Sequence, residues 1–153
     1  MISTFIQTLL KSTGGYAAFI LRVPVGLILA AHGAQKLFGW FGGYGLEGTG
    51  QWMASIGLEP GYLMALMSGS AEFFGGLALA LGLLTRPAAL VTAFTMLIAI
   101  FSVHFSNGLF MSNNGYEYAL TLLVVTLALT IQGAGRLALD NALLAYFNNK
   151  KAS

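Results

Sequence analysis

Four apolar segments decide what this chain can fold into. Residues 16–34, 62–84, 88–105 and 116–133 each carry no more than two Lys, Arg, His, Asp or Glu side chains. At about 1.5 Å of rise per residue, ~20 helical residues cross a bilayer core of ~30 Å, so each segment is long enough, or nearly so, to span it. Open strands cannot do this, because their edge amides would stay unpaired in lipid. The expected fold is therefore all-α: a polytopic bundle of four transmembrane helices in a single domain over residues 1–153. A soluble domain has about 25% charged residues, whereas this chain has 8% charged and 57% apolar residues. So few charges cannot cover a surface in water, and lipid is the expected surrounding. The net charge of +2 is small and scattered, which gives no basis for a nucleic-acid partner. The absence of cysteine removes disulfides, thiolate metal sites and thiol nucleophiles.

Position matters more than number for the charges. Arg22 and Pro24 interrupt the first segment, which a secretory signal core avoids, so that segment reads as a retained helix. Lys11, Arg86, Arg136, Lys150 and Lys151 all fall on one side of the four spans. Basic loops favour the cytoplasm, so both termini are expected there. The N-terminal "MISTFIQTLL" places Ile2, Phe5, Ile6, Leu9 and Leu10 on one helical face, and "GRLALDNALLAYFNNKK" repeats the pattern after the fourth span. Both are expected to be helices lying at the membrane interface, with Arg136 and Asp140 spaced to pair. In the loop after the first span, Thr49 is expected to cap a short helix that Gly57 ends.

The chain also contains a possible internal echo. His32 is followed by Leu37, Phe38, Gly43 and Tyr44, and His104 by Leu109, Phe110, Gly115 and Tyr116, at identical offsets. If this is a duplication, both copies cross in the same direction.

Few ionisable groups lie within the spans. A charge at a helix centre costs ~2.5–3.5 kcal/mol on insertion scales, so such groups face the protein interior and find partners. Glu72 lies near the middle of its span beside Ser68, Gly69, Gly75 and Gly76, and small residues mark a close-packed membrane-helix face. Arg22 shares a stripe with Gly26 and Ala30. A structural ion pair between Arg22 and Glu72 is the plain expectation, with proton handling by Glu72 as the functional one. His32 and Lys36 are four residues apart and so share a face, while His104 and Glu117 fall at the same membrane depth. The polar-cluster candidates are thus His32, Lys36, Glu72, His104 and Glu117, and a proton relay, a quinone headgroup site or a metal site all fit those side chains. Nothing beyond the two imidazoles supports a haem. No phosphate-binding loop, dinucleotide fingerprint or hydrolase motif is present.

The stretch "HGAQKLFGWFGGYGLEGTGQWMASIGL", with "AEFFGGLALALGLLTRPAAL", "MLIAIFSVHFSNGLF", "GYEYAL" and "GAGRLALDNAL", resembles the DoxX family of small four-helix membrane proteins over about residues 15 to 143. The motif positions carried over are His32, Gly33, Lys36, Gly39, Gly43, Glu72, Gly75, Arg86, His104, Gly108, Glu117 and Asp140, and the family pattern gives them no agreed catalytic role. The family takes its name from a subunit of an archaeal terminal quinol oxidase. Relatives are linked to thiosulfate:quinone oxidoreduction and, in actinobacteria, to a membrane oxidoreductase complex. The resemblance implies a bacterial inner-membrane protein, an accessory subunit of a quinone-linked redox complex, with quinone as the candidate ligand and redox subunits or an oligomer as partners. The alternatives are a small proton-coupled transporter, which four helices would achieve only by oligomerising, and a non-catalytic membrane scaffold.

Overall fold

The computed structural model describes residues 4–152. Ile2 lies outside the described residues, as does the side chain of Lys151. Among the described residues seven α-helices follow one another: α1 (Thr4–Leu10), α2 (Gly15–Phe38), α3 (Gly45–Ser55), α4 (Gly61–Leu81), α5 (Thr85–Ala99), α6 (Glu117–Gln132) and α7 (Leu139–Ala152). No strand occurs among the described residues. α5 runs on through a π turn at Ile100–His104 and a 3-10 turn at Phe105–Asn107. α2, α4 and the extended α5 are long and apolar enough to cross a membrane, while α6 is apolar but has 16 residues. At about 1.5 Å per residue it measures ~24 Å, roughly a turn short of a full crossing. Large apolar side chains, among them Ile20, Leu27, Phe74, Leu90, Phe94, Val124 and Ile131, are exposed along all four helices. This surface suits acyl chains rather than water.

α2, α4, α5 and α6 alternate in direction, leaving two unlike ends. The loop end carries residues 39–60 and 108–116. The terminal end gathers the chain segments around Gly14, Gly82 and Ala134. α2 and α4 touch through glycines seven residues apart on each helix, Gly26 and Gly33 against Gly76 and Gly69. A Cβ on Gly33 would sit 2.6 Å from Phe73 Cα, and one on Gly26 would sit 2.6 Å from Ala80 N. Backbone thus meets backbone, as membrane helices do when small residues line the contact. Leu29, Leu79, Ala89, Met96, Ile100, Leu122 and Leu129 fill the centre of the bundle.

Several boundaries differ from expectation: α4 ends at Leu81 rather than Leu84, and α5 begins at Thr85 rather than Ala88. α2 does not stop at Ala34 but runs to Phe38, until Gly39 takes the left-handed conformation (φ 72°) that glycine adopts freely. The short loop helix begins at Gly45, not Thr49, and Thr49 is buried within it. Its side chain packs inward instead of capping. Gly57, at φ 85°, follows the helix as expected.

The terminal end also corrects the expected ion pair. Arg22 does not meet Glu72. Its guanidinium donates to the carbonyls of Ala134 (2.9 Å), Leu79 (3.2 Å), Ala80 (2.5 Å), Arg136 (3.3 Å) and Leu137 (2.6 Å). The antiparallel packing places Glu72 level with Gly33, about 16 Å along the axis from Arg22. The open carbonyls at the C-terminus of α4 are nearer. Nor do Arg136 and Asp140 pair. The Asp140 carboxylate accepts from the backbone N–H of Leu84 (2.6 Å) and Thr85 (2.9 Å), capping α5 from across the fold. Arg136 lies over the Tyr16 ring at 5.0 Å.

Candidate functional site

The site grows from the glycine contact between α2 and α4. Gly69 and Gly76 let α2 approach, and Glu72, between them, projects into the space this closes off. Lys36, in the last turn of α2, forms a salt bridge with Glu72 Oε2, and the two side chains are 24% and 4% exposed respectively. His32 lies one turn earlier on the same face of α2. Its ring sits 6.0 Å from that of Tyr118 at the start of α6. His104 closes the π turn of α5, and its Nδ1 lies 2.9 Å from the Asn114 carbonyl. A carbonyl only accepts, so Nδ1 carries a proton there. The π turn gives α5 extra residues in its last turn and re-aims His104; such turns recur at functional sites.

These groups converge. A central cavity of about 110 Å³ is lined by His32, Lys36, Glu72, His104 and Tyr118, with Leu29, Met96 and Leu122 as its apolar wall. Two larger cavities adjoin it. One, of about 490 Å³, lies beneath the loop helix between His32, Gln35, Lys36, Tyr44, Thr49 and Trp52. The other, of about 320 Å³, lies between α3, α4 and α5 and meets Lys36, Ser68, Glu72, Thr95, His104 and Asn114. Lys36 borders all three, so its ion pair with Glu72 stands at their junction. The chamber offers an ammonium, a carboxylate, two imidazoles and a phenol inside an apolar shell. That set can hydrogen-bond a small polar head and hold or pass protons. Among the described residues, no group of three His, Asp or Glu side chains gathers as a metal site.

Four of the five sequence candidates therefore meet, and Glu117 does not. Its Oε1 accepts from the Met111 backbone N–H at 2.6 Å, holding the loop before α6. The next residue, Tyr118, rotated by about 100° on the helix, lines the chamber instead. The echo between the two halves is local. Both histidines reach the same cavity, but Tyr44 leads into the short α3 and Tyr116 into the long α6.

Comparison with known proteins gives the family. The DoxX family model matches residues 17–105, which include His32, Lys36, Glu72 and His104. The chain is 39% identical over 121 residues to "Putative oxidoreductase CatD" of Bacillus subtilis, covering 79% of this chain and 82% of the relative. It is 38% identical over 128 residues to "Inner membrane protein YqjF" of Escherichia coli, covering 78% of this chain and 92% of the relative. No solved structure matches. Matched across more than half its length by the family model and along most of its length by these relatives, the chain belongs to the DoxX family of membrane proteins.

Proposed function

We propose that this protein is an accessory subunit of a quinone-linked redox complex in the bacterial inner membrane, with both termini cytoplasmic, and that His32, Lys36, Glu72 and His104 receive the quinone headgroup. The observation that carries this reading is the convergence of two imidazoles and an ammonium–carboxylate pair on one small cavity inside a lipid-facing bundle. A quinone head presents two carbonyl oxygens that only accept hydrogen bonds. Lys36 Nζ, the Tyr118 hydroxyl and an imidazole N–H are donors of the kind those oxygens need. Reduction of a quinone takes up two electrons and two protons. In this reading the electrons come from a partner oxidoreductase, and His32, Glu72 and His104 hold the protons. The names of two relatives, an oxidoreductase and an inner membrane protein, support the redox and membrane parts of the assignment. Glu117, which ties the loop beside the chamber, positions that wall and does not touch the head.

The test is purification from native membranes in mild detergent. The expected result is retained quinone and a co-eluting oxidoreductase, with the quinone lost from Glu72→Gln and His32→Leu while the fold survives. A homogeneous preparation without quinone or an oxidoreductase partner overturns the reading.

A further inference from the structure

A headgroup held in this chamber raises a physical problem that the fold answers. Lipid-soluble quinones carry a long apolar tail. Acyl chains are as apolar as any protein groove, so the tail gains little by folding into the protein and must trail sideways into the membrane. The chamber therefore needs a lateral opening.

One lies at the seam of α4 and α5. A groove of about 200 Å³ runs along that seam, walled by Met64, Met67 and Ala71 of α4 and by Val91 and Phe94 of α5. Met67, Val91 and Phe94 are exposed on the lipid-facing surface. From Met64 to Ala71 the groove follows about 10 Å of helix. Its inner wall is also the wall of the cavity of about 320 Å³ that shares Lys36, Glu72 and His104 with the central one: Met53, Leu58, Ser68, Thr95 and Ile98 line both. The lining changes along this path from Lys36, Glu72 and His104 on the inside, through the hydroxyls of Ser68 and Thr95, to methionine and aromatic side chains outside. An amphiphile with a hydrogen-bonding head and an apolar chain matches that order. Methionines suit such a passage, because their unbranched side chains shift between rotamers at low cost.

We infer that the α4–α5 seam is the lateral portal through which the tail of the bound quinone leaves the chamber for the membrane. This inference rests on the headgroup reading above. The cavity beneath α3 that meets His32 and Gln35 lies on the other side of Lys36 from this seam.

The test uses the full chain in lipid nanodiscs and two benzoquinones with the same head, one bearing a methyl group and one a decyl chain. Ala71→Trp and Val91→Trp fill the groove without entering the polar chamber, and either suffices if the other fails to fold. Filling the groove is expected to weaken binding of the decyl compound by about tenfold and to leave the methyl compound nearly unchanged. A diazirine at the end of the decyl chain is expected to label Met64, Met67 or Phe94. Equal effects on both compounds, or tail labels beneath α3 rather than at the seam, overturn the portal while leaving the headgroup site standing. Failure of the wild-type protein to bind either compound overturns the headgroup reading, and the portal with it.

Discussion

The two ends of the bundle bury charge in opposite ways. At the terminal end Arg22 is 1% exposed, and its guanidinium meets five carbonyls. Asp140, also 1% exposed, meets two backbone amides. These groups are satisfied by main chain and tie α2, α4, α5 and the segment before α7 into one knot. At the loop end Lys36 and Glu72 have each other, and three cavities open beside them. A buried charge saturated by backbone holds a structure together. One left with a single side-chain partner and adjoining space can exchange that partner for a ligand. The contrast separates the groups that hold the fold from those that can act, and each side of it can be attacked by substitution.

The largest effect is expected at Arg22. Arg22→Met keeps an unbranched apolar stem but takes the guanidinium donor from the carbonyls of Ala80, Ala134, Arg136 and Leu137, while Leu79 keeps its bond from the Gly82 N–H. A buried unsatisfied group costs ~1–3 kcal/mol, and some of these carbonyls will recruit water. A loss of at least about 3 kcal/mol is expected, read by unfolding in mixed micelles. A cost below ~1 kcal/mol would mean that the knot is decorative, and the contrast between the ends would fail.

Gly33→Leu comes next, because it attacks the contact on which the site is built. Its added atoms meet Phe73 backbone, so α2 must move away from α4 and Lys36 from Glu72. Overpacking of this kind costs ~1–3 kcal/mol. Unlike Arg22→Met, it is expected to abolish quinone binding even in the fraction that stays folded. Retained binding would show that the site does not depend on the glycine contact. Asp140→Ala removes a cap from α5, an effect of ~1–2 kcal/mol, and is expected to speed hydrogen exchange at Leu84 and Thr85 without altering binding at the other end. Unchanged exchange at those two amides would remove the capping role.

How far this division could be read from sequence depends on what kind of partner each residue has. That Glu72 faces inward was legible, because Gly69, Gly75 and Gly76 mark a close-packed face. Its partner is Lys36 rather than the expected Arg22. Hydropathy falls where Lys36 appears, which puts the expected end of the first span at Ala34, yet a paired lysine costs a helix little and α2 continues to Phe38. The sequence pairs Arg22 with Glu72, but backbone carbonyls have no signature in sequence, and five of them take the guanidinium instead. The spacing of Asp140 and Arg136 misleads for the same reason, since backbone amides hold the carboxylate. Glu117 and Tyr118 show the limit most sharply. Both begin α6, but one turns to the loop and the other to the chamber, and a shift of one residue in where a helix starts decides which.

The smallest stability effect is expected where the functional effect is greatest. Breaking an enclosed ion pair by removing one partner ordinarily costs ~3–5 kcal/mol, because the remaining charge is stranded. Lys36 is not enclosed; its side chain is 24% exposed and borders three cavities. Water there can solvate whichever charge is left. Membrane pair couplings measured by double-mutant cycles average only ~0.6 kcal/mol. Glu72→Gln, Lys36→Met and the double variant should therefore form a cycle with a coupling below about 1.5 kcal/mol. Each single variant is still expected to lose the quinone headgroup. A coupling above ~3 kcal/mol would place Lys36 and Glu72 with Arg22 and Asp140, as a lock rather than a site. A small coupling with binding intact would leave the imidazoles and Tyr118 to hold the head alone. Only a weak pair whose loss empties the chamber fits a charge kept available for exchange.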